Sequence, residues 1–170
     1  MTPERETRER IMEAAFELFN SKGYDRVSIN EIVEKAGVSK GGLFHHFDSK
    51  YILARDTIIW WASTHMEPSL MSEVTETMDP RDMLVHFIDF MIGIMEGEGG
   101  FTRFFWSVFD EAMRREDDHT IWIDFLEQYS ITVSRIYREM GVKDPEMKAL
   151  IFLSNMDGMA LYQEMLKKTG

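Results

Sequence analysis

Three observations predict an all-α fold. Apolar residues recur at three- and four-residue spacing along almost the whole chain, and no stretch shows convincing strand alternation. Cap-and-proline pairs of the kind that open helices occur at Thr2-Pro3, Asp79-Pro80 and Asp144-Pro145. Two short helical patterns meet at Gly37 inside residues 26–53. The expected architecture is a three-helix, helix-turn-helix head over 1–48, joined to a larger helical body over 49–170.

The elements follow in order. Thr2, Pro3 and Glu4 supply a cap, an N1 proline and an acid for a helix over 4–22, apolar along Ile11, Ala14, Ala15, Leu18 and Phe19 and stopped by Gly23. Tyr24 reads as core filler with its hydroxyl at the edge. Ser28 and Glu31 form a capping box, and Ile29, Ile32 and Val33 give the next helix one apolar face. Gly37 can take a positive φ where that helix stops. Ser39 then caps a helix that ends near Phe47, with Leu43, Phe44 and Phe47 as its large apolar residues and Lys40, His45 and His46 turned outward. Two short helices around a Gly-containing turn suit the helix-turn-helix, whose second helix enters the major groove. The same spacing also suits a helical hairpin that only packs.

Beyond the head, a helix over 49–67 is ended by Pro68 and carries Ile52, Leu53, Ile58, Ile59, Trp60 and Trp61. Residues 68–79 read as a polar loop or a short, weak helix. A largely buried helix runs from Pro80 to Glu96 and is broken by Gly97, Gly99 and Gly100. Residues 101–115 are the most aromatic stretch, closed by Glu116, Asp117 and Asp118. Long apolar helices follow at about 118–140 and 145–167.

Composition excludes several classes. The 170 residues include 44% apolar ones, enough for a sizeable core, and no run of 18 apolar residues that would span a membrane. The charged N-terminus lacks the apolar stretch of a signal peptide. Cysteine is absent, which removes disulfides, thiol catalysis and thiolate metal sites. A cytoplasmic location is expected. Net charge is −11, yet residues 1–55 hold nine basic and nine acidic side chains, so the body carries the whole excess. A neutral head suits a specific DNA binder with few phosphate contacts and strong salt dependence. No catalytic motif assembles: HExxH, the P-loop, the dinucleotide fingerprint and the nucleophile elbow are all missing. The five histidines have no partner at i+3 or i+4, and the acids at 117–118 beside His119 read as a solvated cap. No catalysis, cofactor or metal is expected.

Residues 10–53 resemble the DNA-binding domain of the TetR family of one-component transcriptional regulators. The resemblance rests on Ile11, Ala14, Ala15, Phe19, Gly23-Tyr24, Ser28-Ile29 and Ile32, then on Ala36-Gly37-Val38-Ser39-Lys40-Gly41, Leu43-Phe44, Phe47, Ser49-Lys50 and Leu53. It covers about a quarter of the chain strongly, and the remainder matches in helical layout.

The resemblance implies a homodimer, a double-stranded operator in the form of an inverted repeat, and a small-molecule effector. It makes Lys40 and Lys50 the phosphate contacts, with Ser28 and Ser39 adding backbone contacts and His45 reaching a base edge or phosphate. Gly41 and Gly42 would let the helix approach the DNA closely. Where the family usually shows threonine and two tyrosines, this chain has Gly42, Phe44 and His46. Two hydroxyls that typically reach phosphates are thereby lost, and His46 keeps a polar tip. An apolar or amphipathic effector would sit among Trp61, Met66, Phe87, Met91, Phe105, Trp106, Phe109 and Met113; the 14 methionines suit an adaptable pocket. The last two helices would pair across a two-fold axis into a four-helix bundle through Phe125, Tyr129, Val133, Ile136, Leu153, Met156, Gly158, Ala160 and Leu161. The expected function is a repressor released from its operator by the effector. The alternative is a helical homodimer that senses a ligand or binds a protein without binding DNA.

Overall fold

A computed structural model describes residues 3–66, 78–96, 100–115 and 118–166. Helix α1 spans Pro3–Lys22 and leads through a 3-10 turn, Tyr24–Arg26, to α2, Ile29–Ala36, and α3, Lys40–His46. Helix α4, Lys50–Trp61, continues as a π-helical turn over Ala62–Met66. Then come α5, Pro80–Glu96; α6, Phe101–Met113; α7, His119–Glu139; and α8, Pro145–Leu166. Every described regular element is helical, as the sequence predicts. The turn at 24–26 and the change of pitch at 62–66 were not expected. The loop at 68–77, the Thr2 cap, the glycine breaks at 97 and 99 and the acids at 116–117 lie outside the described residues.

The chain packs as two compact units. The first comprises residues 1–66 together with 98–114, so α6 returns to the head. Its core joins Ile11, Ala15 and Phe19 of α1, Ile32 of α2, Leu43 of α3, Leu53 and Ile58 of α4, and Phe104, Val108 and Ala112 of α6, all with no exposed surface. The Phe104 ring lies 4.9 Å from that of Phe19. At its start α6 meets the end of α1: Gly100 N donates to the Asn20 carbonyl at 3.0 Å. A Cβ on Gly100 would stand 2.6 Å from that oxygen, so the close approach requires glycine. Packing therefore divides the chain differently from the boundary at 48/49 expected from sequence, because α4 and α6 both bury apolar faces in the head's core.

The second unit comprises residues 67–97 and 115–170. Within it α7 and α8 form a helical hairpin, with α5 packed on both. Phe87, Val133 and Ala149 centre its core, surrounded by Leu84, Phe90, Met91, Tyr129, Tyr137, Phe152 and Leu153. Met156 and Ala160 extend it against Met91, Ile92 and Phe152.

Candidate nucleic-acid interface

The head is built from local capping. The Ser28 hydroxyl accepts from Glu31 N at 3.3 Å, and the Glu31 carboxylate accepts from Ser28 N at 2.8 Å. Lys22 Nζ donates to the same carboxylate at 2.7 Å. The Lys22 hydrogen bond, followed by those from the Ser28 backbone and hydroxyl, holds the Glu31 pKa down to about 2. Gly37 ends α2 at φ 65, the left-handed region that favours glycine. Ser39 then caps α3 by accepting from Gly42 N at 3.0 Å. The turn sends Leu43 and Phe47 inward, both essentially without exposed surface.

The opposite face of α3 is displayed. Lys40, Gly41, Phe44 and His45 are exposed, and Gly42 and His46 are half-buried. Phe44 is 40% exposed, so this large apolar ring belongs to the outer surface and not to the core. Lys22 and Lys35 are paired with Glu31 and Glu17 at 2.7 and 2.6 Å, and Arg8 is paired with Asp56 at 2.7 Å. Lys40 has no such partner among the described residues. His45 Nε2 stands 3.7 Å from Glu4 on α1, with both side chains mostly in solvent. Such a pair contributes little. Ser28 and Ser39 are exposed, but their hydroxyls already serve as caps.

Lys50 is the exception among the expected contacts. It is half-buried, with its ammonium 4.5 Å from the centre of the Tyr24 ring and 3.5 Å from the Asp25 carbonyl oxygen. Tyr24 in turn donates its hydroxyl proton to Glu111 of α6 at 2.6 Å. Tyr24 and Glu111 are 87 positions apart, and no sequence signal links them.

The expected effector residues divide between the units. Trp61, Phe105, Trp106, Phe109 and Met113 belong to the first and Phe87 and Met91 to the second, while the Met66 side chain lies outside the described residues. Phe87 is 2% exposed and sits in the second unit's core beside Val133 and Ala149. Met91 packs against both clusters of that core. In the first unit an aromatic series forms. Trp61 stacks on Phe16 at 5.3 Å and on His65 at 5.5 Å, and meets Phe101 at 4.5 Å. Phe101 continues to Phe105 at 6.3 Å, and Phe105 stacks on Phe109 at 5.9 Å. Trp106 sets its ring edge-on to Phe105 and Phe109. All these rings except that of His65 are half-buried.

The expected dimer residues differ in exposure. Val133, Ile136, Met156 and Ala160 point into their own unit and offer almost no surface. Tyr129 and Leu153 are half-buried against the Phe87 cluster, and Phe125 is half-buried as well. Only Gly158 and Leu161 are exposed. The surface face of α8 instead carries Met147, Leu150, Ile151, Leu161, Tyr162 and Met165 at helical spacing, each about half exposed or more. Helix α8 is apolar on nearly every side, and spacing alone does not say which side stays inside its own chain.

Two capped helices around a left-handed glycine, with an exposed polar-aromatic face over a buried apolar one, define a helix-turn-helix head of the DNA-binding class. Comparison with known proteins agrees. Residues 11–56 match the family described as "Bacterial regulatory proteins, tetR family". The chain is 32% identical over 89 residues to the uncharacterised HTH-type transcriptional regulator YxaF of Bacillus subtilis, covering 52% of this chain and 46% of that one. It spans less than half the length of the curated relatives that it matches over the head. A TetR transcription regulator from Haloarcula marismortui has a similar fold, with a TM-score of 0.81 at 18% identity over 96% of this chain and 88% of that one. So has a Saccharomonospora viridis protein solved in complex with choline, with a TM-score of 0.76 at 23% identity over 92% and 84%. The head, residues 11–56, thus carries the DNA-binding pattern of the tetR family, and the whole chain shares the fold of solved regulators of that kind. Among the described residues no group of three His, Asp or Glu gathers to hold a metal, and no helix is long and apolar enough to cross a membrane.

Proposed function

We propose that the protein is a homodimeric, sequence-specific DNA-binding transcriptional regulator, a repressor that leaves a palindromic operator when a small apolar or amphipathic effector binds. The observation that carries this reading is the outer face of α3, where Lys40, Phe44 and His45 are displayed while Leu43 and Phe47 anchor the helix from behind. Lys40 supplies backbone affinity, and His45 reads a base edge. The exposed apolar stripe of α8 supports pairing with a second copy, since a face of that extent is rarely left to solvent. Two-fold pairing would present two recognition helices to successive major-groove faces of one inverted repeat.

The aromatic series from Phe16 to Phe109 supports the effector class. Flat, half-buried rings suit apolar ligands and, through their π faces, quaternary ammonium groups. Choline, held by the Saccharomonospora viridis protein, therefore belongs on a ligand panel beside uncharged aromatic compounds. A ligand that raises the melting temperature and releases operator DNA would meet the proposal. A panel giving neither effect would remove the effector from it.

The deciding experiment is selection of bound fragments from random and genomic DNA by the ligand-free protein at low salt. Recovery of an inverted repeat establishes the reading and gives the half-site spacing. One observation favours the second reading, a ligand sensor or interaction module without DNA: Lys22, Lys35 and Arg8 are already committed to carboxylates of the head itself. Folded, dimeric protein that recovers no sequence above background would establish that reading instead.

A further inference from the structure

Lys50 stands at the first turn of α4, where its charge is of most use to DNA, yet the head holds it back. Its ammonium sits over the Tyr24 ring and beside the Asp25 carbonyl. The Tyr24 hydroxyl donates to the Glu111 carboxylate, a short charge-assisted bond that draws the phenol toward its anion and enriches the ring facing Lys50. We propose that α6, through Glu111 and Tyr24, tethers Lys50 to the head and withholds its charge from the DNA backbone, so that the tether and a phosphate compete for one ammonium. This rests on the DNA-binding reading of the head and adds a positioning residue, Glu111, that the helix-turn-helix motif does not contain.

Three features support the competition. The carboxylates of Asp25, Glu111 and Glu31 all act on Lys50, so negative charge already surrounds the cation. Burial nevertheless pushes the Lys50 pKa down, more than these acids push it up, as it would for an ammonium drawn partly out of water. Tyr24 is 6% exposed and tilts against Phe19 at 5.5 Å, so the ring cannot swing away to follow Lys50. Release of the lysine must come from its own side chain or from α6. The consequence is specific to non-sequence-selective binding, which draws its affinity from phosphate contacts and counterion release. A tethered lysine lowers that background, and only a site offering further contacts on α3 repays its release.

The test is a double-mutant cycle of Glu111→Gln and Lys50→Met in the full chain. Binding is measured across a salt series on the selected inverted repeat and on random duplex of equal length. Asp110→Asn, one position away on an exposed part of α6, controls for bulk charge. Glu111→Gln is expected to tighten binding to random duplex several-fold more than Asp110→Asn does. It should also steepen the dependence of log K on log salt by about one phosphate contact, a slope change of roughly 0.9. Lys50→Met should cost at least threefold more in the Glu111→Gln background than in the wild type. A second readout needs no DNA: with 13C-methylated lysines, the Lys50 resonance should be displaced by the Tyr24 ring current in the wild type and less so in Glu111→Gln. Equal costs of Lys50→Met in both backgrounds, or a Lys50 resonance at the random-coil position, would overturn the proposal. If no variant binds any duplex while the displaced resonance is present, the DNA-binding function and the competition both fall and the tether alone stands.

Discussion

Glu31 serves two partners at once, accepting from the Ser28 cap and from Lys22, and its folded pKa falls from 4.5 to about 2. A carboxylate whose folded pKa is depressed contributes stability above its unfolded pKa and loses it as pH falls through the folded one. The expected loss therefore lies between about pH 4.5 and 2, and Glu31→Gln should flatten the acid limb of the stability curve in that window, measured by urea unfolding at each pH. On α3 the labour divides between neighbours. Lys40→Ala should weaken binding uniformly, by a similar factor on operator and random DNA, because a phosphate contact carries no sequence information. His45→Ala should change preference at particular base pairs, at about 1–3 kcal/mol per position read. Selection by sequencing with each variant checks both. Equal losses on both DNAs for both variants would refute the division.

At the scale of elements, α3 is a short helix with two glycines in its first turn, held by the Ser39 cap and by the buried Leu43 and Phe47. A Cβ on Gly41 would meet nothing nearer than Ser39 Oγ at 3.9 Å. Gly41→Ala should therefore stabilise the protein by up to about 1 kcal/mol through helix propensity. The same methyl lies on the exposed face, where a DNA backbone would approach, so operator affinity should fall while melting temperature rises. The capped helices of the head were legible in the sequence because each boundary has its own residue: Ser28 with Glu31, Gly37 and Ser39. The structure shows the corresponding hydrogen bonds or left-handed turn at all of these positions. What could not be read were the relations that no local pattern encodes. Lys50 as a displayed cation and Phe87 as a pocket wall follow from residue type, but the ring of Tyr24 and the core around Val133 decide where each one goes. The π-helical turn at 62–66 leaves no mark in the spacing of apolar residues either.

For the whole molecule, the face of α8 left to solvent is the one that the proposed dimer would use. The inner face is occupied by Ala149, Met156 and Ala160, and the outer face keeps Ile151, Leu161 and Tyr162 at 54%, 48% and 61% exposure. Ile151→Glu should leave the protomer folded and convert a dimer to monomer in sedimentation at micromolar concentration, with operator affinity falling because one head then binds alone. Met156→Glu should instead unfold the second unit, since its charge would be buried. The head is also an assembly of distant parts. Phe104, Val108 and Ala112 of α6 complete the core begun by α1 and α4, so a fragment of residues 1–66 should bind hydrophobic dyes and melt without a cooperative transition, whereas 1–114 should unfold cooperatively. This interleaving has a consequence for biosynthesis. Domains made first are ordinarily able to fold first. Here the N-terminal head emerges from the ribosome with the Asn20 carbonyl, the Phe19 ring and the Tyr24 hydroxyl still waiting for α6. From the appearance of residue 66 until residue 114 is free, the nascent chain presents an open apolar face. Slow translation through that interval would prolong the period in which the chain depends on chaperones.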